Sequence, residues 1–226
     1  MSVRLNEIKP KIPAYESRLR HNIITVPEEA RRCSGINVFG KKLKTFIFTT
    51  DIAIIRNCDA DAVFAVYPFT PQVAISESII KGAYTPVFCG VGGGTTQGER
   101  TVALAKDVEA QGACGVVLNA PVSDSNILSV AKAVDVPVVI TVVSEETDIR
   151  ARLEAGASIL NIAAADKTAE LVRKIRADFP DVPIIATGGP TGDTIARTVE
   201  AGANAITYTP PSAKELFSSL MKKYRE

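Results

Sequence analysis

From residue 44 onward the chain repeats one pattern: a short apolar run, then a polar stretch with apolar residues at helical spacing. A periodic chain of this kind has few folds open to it. Three runs follow a Val-Pro or Thr-Pro pair, TPVFCGV (85–91), VPVVITV (136–142) and VPIIATG (182–188). Four others open on small residues: DADAVFAVY (59–67), GACGVVLN (112–119), GASILNI (156–162) and GANAITY (202–208). KTFIFTTD (44–51) precedes the series and brings the number of runs to eight. Their apolar residues are consecutive rather than alternating and rich in Val and Ile. Strands covered on both faces in a parallel sheet read this way.

Between them lie QGERTVALAKDVEAQG (97–112), EETDIRARLEAG (145–156), KTAELVRKIRADFP (167–180) and TGDTIARTVEAG (191–202), all amphipathic at helical period. Three of these stop at Gly112, Gly156 and Gly202, the left-handed position favoured after a helix. Strand and helix in strict alternation imply parallel strands joined by crossover helices. An open doubly wound sheet competes with a closed one. The even series of eight units favours closure into a single (βα)8 TIM barrel, which also removes exposed edges. The barrel is assigned to residues 44–226. Residues 1–43 form a short N-terminal helical extension, with helices expected around AYESRLR and PEEARRC, as a plug over the N-terminal ends of the strands.

Charge and cysteine usage remove several function classes. Lys plus Arg (26) and Asp plus Glu (25) nearly cancel, so no global field attracts nucleic acid or an anionic membrane. The cysteines, Cys33, Cys58, Cys89 and Cys114, have no CxxC spacing, and His21 is the only histidine. A metal site is therefore not expected, and reduced thiols suit a cytoplasmic protein. The N-terminus lacks an apolar leader, and no stretch approaches the ~18 apolar residues of a membrane span.

Barrels of this kind work at the C-terminal ends of their strands. There the chain places Asp51 after the first run, Asn119 after the fourth, Glu145 after the fifth and Asn161 in the sixth. Asp51 or Glu145 would transfer protons, although an acid just before a helix is equally an N-cap or a dipole partner. Asn119 and Asn161 would hold an enolate-like oxygen. Thr187, Gly188 and Gly189 after the seventh run, with Ser212 after the eighth, occupy the usual phosphate position. The glycines also suit a bare tight turn. Pro210 and Pro211 beside Ser212 bring no N–H groups. Gly92 and Gly93 in GVGGGTTQG offer either a mobile loop or an anion nest. Cys89 reads as a small buried hydrophobe rather than a nucleophile.

The segment from EAGASILNI through FPDVPIIATGGPTGDTIARTVEAGANAIT resembles the C-terminal half of 2-keto-3-deoxy-6-phosphogluconate aldolases. More broadly it resembles ribulose-phosphate-binding and FMN-linked barrels. The shared marks are AGA at 155–157, FPDVP at 179–183 and TGG at 187–189. The whole chain also resembles a group of bacterial barrels labelled hydrolase. The aldolase resemblance implies a Schiff-base lysine in the sixth strand, but Asn161 stands at that position, and Lys167 opens the following helix. Imine chemistry is accordingly not expected. The expectation is a metal-independent lyase or isomerase without cofactor, acting on a small phosphorylated or carboxylated metabolite. Two alternatives remain: an FMN barrel with its phosphate in the same cradle, and a barrel that binds a small anionic ligand without turnover. A homo-oligomer is compatible with a barrel of this size.

Overall fold

The computed structural model describes residues 23–225 together with Pro13, Tyr15 and Ser17. The expected AYESRLR helix and His21 lie outside the described residues, apart from Tyr15 and Ser17 within that stretch.

The apolar runs become strands covered on both faces. In chain order, β1 (Ile36–Val38) and β2 (Lys41–Leu43) precede β3 (Thr45–Phe48), α1 (Ile52–Arg56), β4 (Ala62–Ala65) and α2 (Val73–Gly82). Then come β5 (Val87–Gly92), α3 (Glu99–Ala110), β6 (Gly115–Leu118), α4 (Asp124–Ala131), β7 (Val138–Val142) and α5 (Ile149–Glu154). The series ends with β8 (Ile159–Ile162), α6 (Thr168–Asp178), β9 (Ile184–Thr187), α7 (Gly192–Glu200), β10 (Ala205–Tyr208) and α8 (Ala213–Arg225). Strands β3 to β10 pair in parallel and close through β10 against β3, forming a TIM barrel. Among the described residues no helix is long and apolar enough to cross a membrane.

Two apolar layers result. Ile47, Val63, Cys89, Leu118, Ile140, Leu160, Ala186 and Ile206 face outward under the helices. Phe46, Phe64, Phe88, Val117, Val139, Ile159, Ile185 and Ala205 fill the interior. Phe46 meets Phe64 and Phe88 edge-on, with ring centroids 6.0 and 5.1 Å apart. Each such fully buried ring contributes about 1.5–3 kcal/mol. Gly115 makes room for them, since a Cβ there would stand 2.4 Å from the Phe88 ring.

The N-terminal extension differs from the helices expected of it. PEEARRC supplies only a 3-10 turn, Glu28–Arg32, and the next residues form the antiparallel hairpin β1–β2. Its turn uses Phe39 (φ 48°) and Gly40 (φ 78°), both left-handed, as a two-residue hairpin turn requires. Ile36, Val38 and Leu43 then pack with Phe46 and the other interior residues, so the hairpin seals the N-terminal end of the barrel. Asp61 ties this end together, accepting from the amides of Lys44 (2.8 Å) and Thr45 (3.0 Å).

Helix α5 begins four residues later than the charge pattern suggests. Asp148 is its N-cap, accepting from the Ala151 amide at 3.0 Å, and residues 144–147 form a turn ahead of it. Glu145 therefore lies in a loop and not in a first helical turn.

Candidate active site at the barrel mouth

Strict alternation along each strand decides what the mouth presents. Residues two beyond the inner apolar layer also point inward. Around the ring these are Phe48 (β3), Val66 just past β4, Gly90 (β5), Asn119 just past β6, Thr141 (β7), Asn161 (β8), Thr187 (β9) and Thr207 (β10). The mouth is thus divided. One arc is apolar and the other carries amides and hydroxyls.

The polar arc contains two buried side-chain atoms without a protein partner. Asn161 is 7% exposed and donates from Nδ2 to the Thr141 hydroxyl at 3.2 Å, while its Oδ1 has no partner. Turning the amide over would pair Oδ1 with Thr141 and strand the NH2 instead, so one amide group is unpaired either way. Thr207 is also 7% exposed, and its hydroxyl oxygen is unpartnered too. A buried polar atom without a partner costs about 1–3 kcal/mol, and a chain retains it where something else completes it.

The acids chosen from sequence sit elsewhere. Asp51 caps α1, its Oδ1 accepting from Ala53 (2.8 Å) and Ile54 (3.1 Å). It lines an apolar cleft of about 530 Å³ between α1 and α8, together with Tyr208 and Phe217. Glu145 is solvent-exposed and ion-paired with Lys174 of α6, whose ammonium holds its carboxyl below the usual range. Neither carboxylate belongs to the inward ring that contains Asn119 and Asn161.

The glycines are largely matters of packing. Gly188 is buried, and a Cβ there would approach Ile195 at 2.7 Å and Ile206 at 2.9 Å. Gly189 has φ +81°, open to glycine and strained for other residues. A Cβ on Gly93 (φ +103°) would lie 2.0 Å from the Asn119 carbonyl oxygen, and one on Gly92 would strike Thr101 at 2.5 Å. Gly93 lets the loop after β5 lie against the end of β6, and Gly92 lets β5 end close against Thr101 of α3. Beside them a cavity of about 550 Å³ is lined by Val66, Tyr67, Phe69, Gly90, Thr96 and Asn119. Ser212, the other expected phosphate ligand, gives both its amide (2.8 Å) and its hydroxyl (2.7 Å) to Glu215. Cys89 is fully buried in the outer layer, where burial pushes its thiol up to about 12.

No family model matches the sequence, and no curated protein matches it. Solved structures do match the fold. Phosphonopyruvate hydrolase in complex with oxalate and Mg++ superposes with TM-score 0.60 at 13% identity, covering 81% of each chain. 2,3-Dimethylmalate lyase, a PEP mutase/isocitrate lyase superfamily member, gives 0.59 at 16%, covering 79% of this chain and 78% of its own. Dihydrodipicolinate synthase from Agrobacterium tumefaciens str. C58 gives 0.57 at 17%, covering 80% and 71%. These solved structures, each named as an enzyme, share the barrel fold of this chain.

One of these findings corrects an expectation. A reaction without metal or cofactor was anticipated from the donor types in the sequence, yet a barrel of the same fold was crystallised with Mg++. The polar arc of this chain is not built for such an ion. Among the described residues no three His, Cys, Asp or Glu side chains converge, and the arc offers only amides and hydroxyls. A divalent ion prefers carboxylate oxygens, so the roles argued below belong to the side chains of the arc itself. The geometry establishes a TIM barrel whose mouth is half apolar and half polar, with two unsatisfied groups at its polar edge.

Proposed function

We propose that the protein is an enzyme of lyase or isomerase type whose substrate is a small carboxylate bearing a hydroxyl group. The unpaired amide group of Asn161 carries this reading. A hydroxyl both donates and accepts, so it satisfies that amide in either orientation. Thr141 and Thr187, on the flanking strands, have hydroxyls able to donate to a carboxylate or to an enolate-like oxygen, and Asn119 closes the arc. The apolar side, Phe48 and Val66, faces the carbon skeleton. The solved structures of this fold, which include a lyase, a hydrolase and a synthase, support the enzyme class.

Glycolate is the simplest probe with both groups. Calorimetric titration is expected to show saturable binding that weakens about tenfold in Asn161→Leu, the worth of one good hydrogen bond. Equal affinity in the two proteins would remove Asn161 from the site.

A second reading, binding without turnover, is favoured by one observation: the inward ring of the mouth contains no titratable side chain. Incubating the protein with a panel of short hydroxy acids and following their proton NMR spectra separates the two. Any substrate that binds and is converted, with conversion lost in Asn161→Leu, supports the enzyme. Saturable binding with no conversion supports the second reading.

A further inference from the structure

The loops after β9 and β10 are where barrels of this architecture usually hold phosphate. Here they enclose a cavity of about 510 Å³ whose lining includes Thr187, Gly189, Thr191, Thr207 and Glu215 and, among the described residues, no lysine or arginine. Its electrostatics are inverted relative to an anion site. Glu215 reaches in from α8 and is held ionised by the Ser212 amide and hydroxyl, both on Oε2, which leaves Oε1 open. The first turn of α7 carries Asp193, and the Glu29 carboxylate lies against Gly192, 2.8 Å from where a Cβ would stand. Those two acids offset the positive end of the α7 dipole that would otherwise draw an anion. Pro210 and Pro211 remove two amides from the second loop. The capping box on α7 occupies the Thr191 and Thr194 amides as well.

Acidity alone would mean little, since surface carboxylates are common. The independent sign is Thr207: more than nine-tenths buried, inward-facing, lining this cavity, and with its hydroxyl oxygen unpartnered. We propose that this cavity accepts a primary ammonium group of the ligand in place of phosphate. An ammonium has three N–H donors and no acceptor. Glu215, Thr207 and Thr187 all line this cavity and each carries an acceptor oxygen. A phosphate would need positive charge, which none of the described residues lining this cavity supplies.

The proposal goes beyond the hydroxy-carboxylate reading and shares only Thr187 with it; Asn161 carries that reading, Glu215 and Thr207 carry this one, so each can fail alone. The test is a titration of ¹⁵N-labelled protein, following the Gly188, Gly189, Thr207 and Thr209 amides, with ethanolamine in one series and inorganic phosphate in another. Ethanolamine is expected to shift these amides saturably, and phosphate to leave them in place. Glu215→Gln should weaken ethanolamine binding about fivefold, as for a partly solvated charge contact. Because Glu215 also caps α8, Thr207→Val serves as the second variant: it leaves the cap intact and is expected to weaken binding as well. Saturable shifts with phosphate, no saturable shift with ethanolamine, or unchanged affinity in both variants would each overturn the proposal. Glycolate binding that depends on Asn161 would survive any of those outcomes, and its loss would leave the ethanolamine result standing.

Discussion

The Asn161 side chain keeps an unpaired amide group where water barely reaches, so stability and binding are opposed at this residue. Asn161→Leu removes the orphan and is expected to raise stability by about 1 kcal/mol in denaturant unfolding while weakening the glycolate probe. Gly93 poses the converse case. Its positive φ and the 2.0 Å clash awaiting any Cβ make Gly93→Ala costly, by about 2–4 kcal/mol, measured by the same unfolding curves. Burial holds the Cys33 and Cys89 thiols up to about 12 from an ordinary value of 9.0. The unfolded chain then releases these protons first. Stability from this source is full below pH 9 and falls as pH rises towards 12. Thermal melts across that range should show the decline, flattened in a Cys33→Ala, Cys89→Ala double variant. Asn161 was legible in the sequence because an amide at a strand end breaks an apolar run. Its missing partner was not, since pairing depends on neighbours from other strands.

At the scale of elements, the FPDVP motif that resembles the aldolases helps to organise the end of the barrel opposite the mouth. Arg176 of α6 donates to the carbonyls of Gly202 (3.0 Å), Pro180 (2.7 Å) and Val182 (2.8 Å) and to Asn204 Oδ1 (2.7 Å). One guanidinium thus ties the FPDVP lead-in of β9 to the AGA-type lead-in of β10. Lysine lacks the planar fork needed for this. Arg176→Lys is expected to cost about 2–3 kcal/mol in stability, with glycolate affinity unchanged, as paired unfolding and calorimetric measurements would show. Sequence reading placed the strands well because eight consecutive-apolar runs leave little freedom. It missed the β1–β2 hairpin because its turn is Phe39-Gly40 instead of the Asn-Gly type, and its strands are three residues each. It started α5 early because Glu145 and Glu146 mimic a first helical turn, whereas Asp148 is the residue whose side chain reaches the helix amides.

For the whole molecule, closure brings residues from all eight strands to one rim, and the rim reveals what order along the chain conceals. Asp51 and Glu145 follow strands as a mouth residue should, yet one turns to its own helix and the other to Lys174. Position along the chain names the loop; only the direction of the side chain names the site. At the far end, among the described residues, the hairpin and three phenyl rings close off the interior. Whatever the proposed site holds would therefore enter and leave by the mouth, so that arrival and departure share one door.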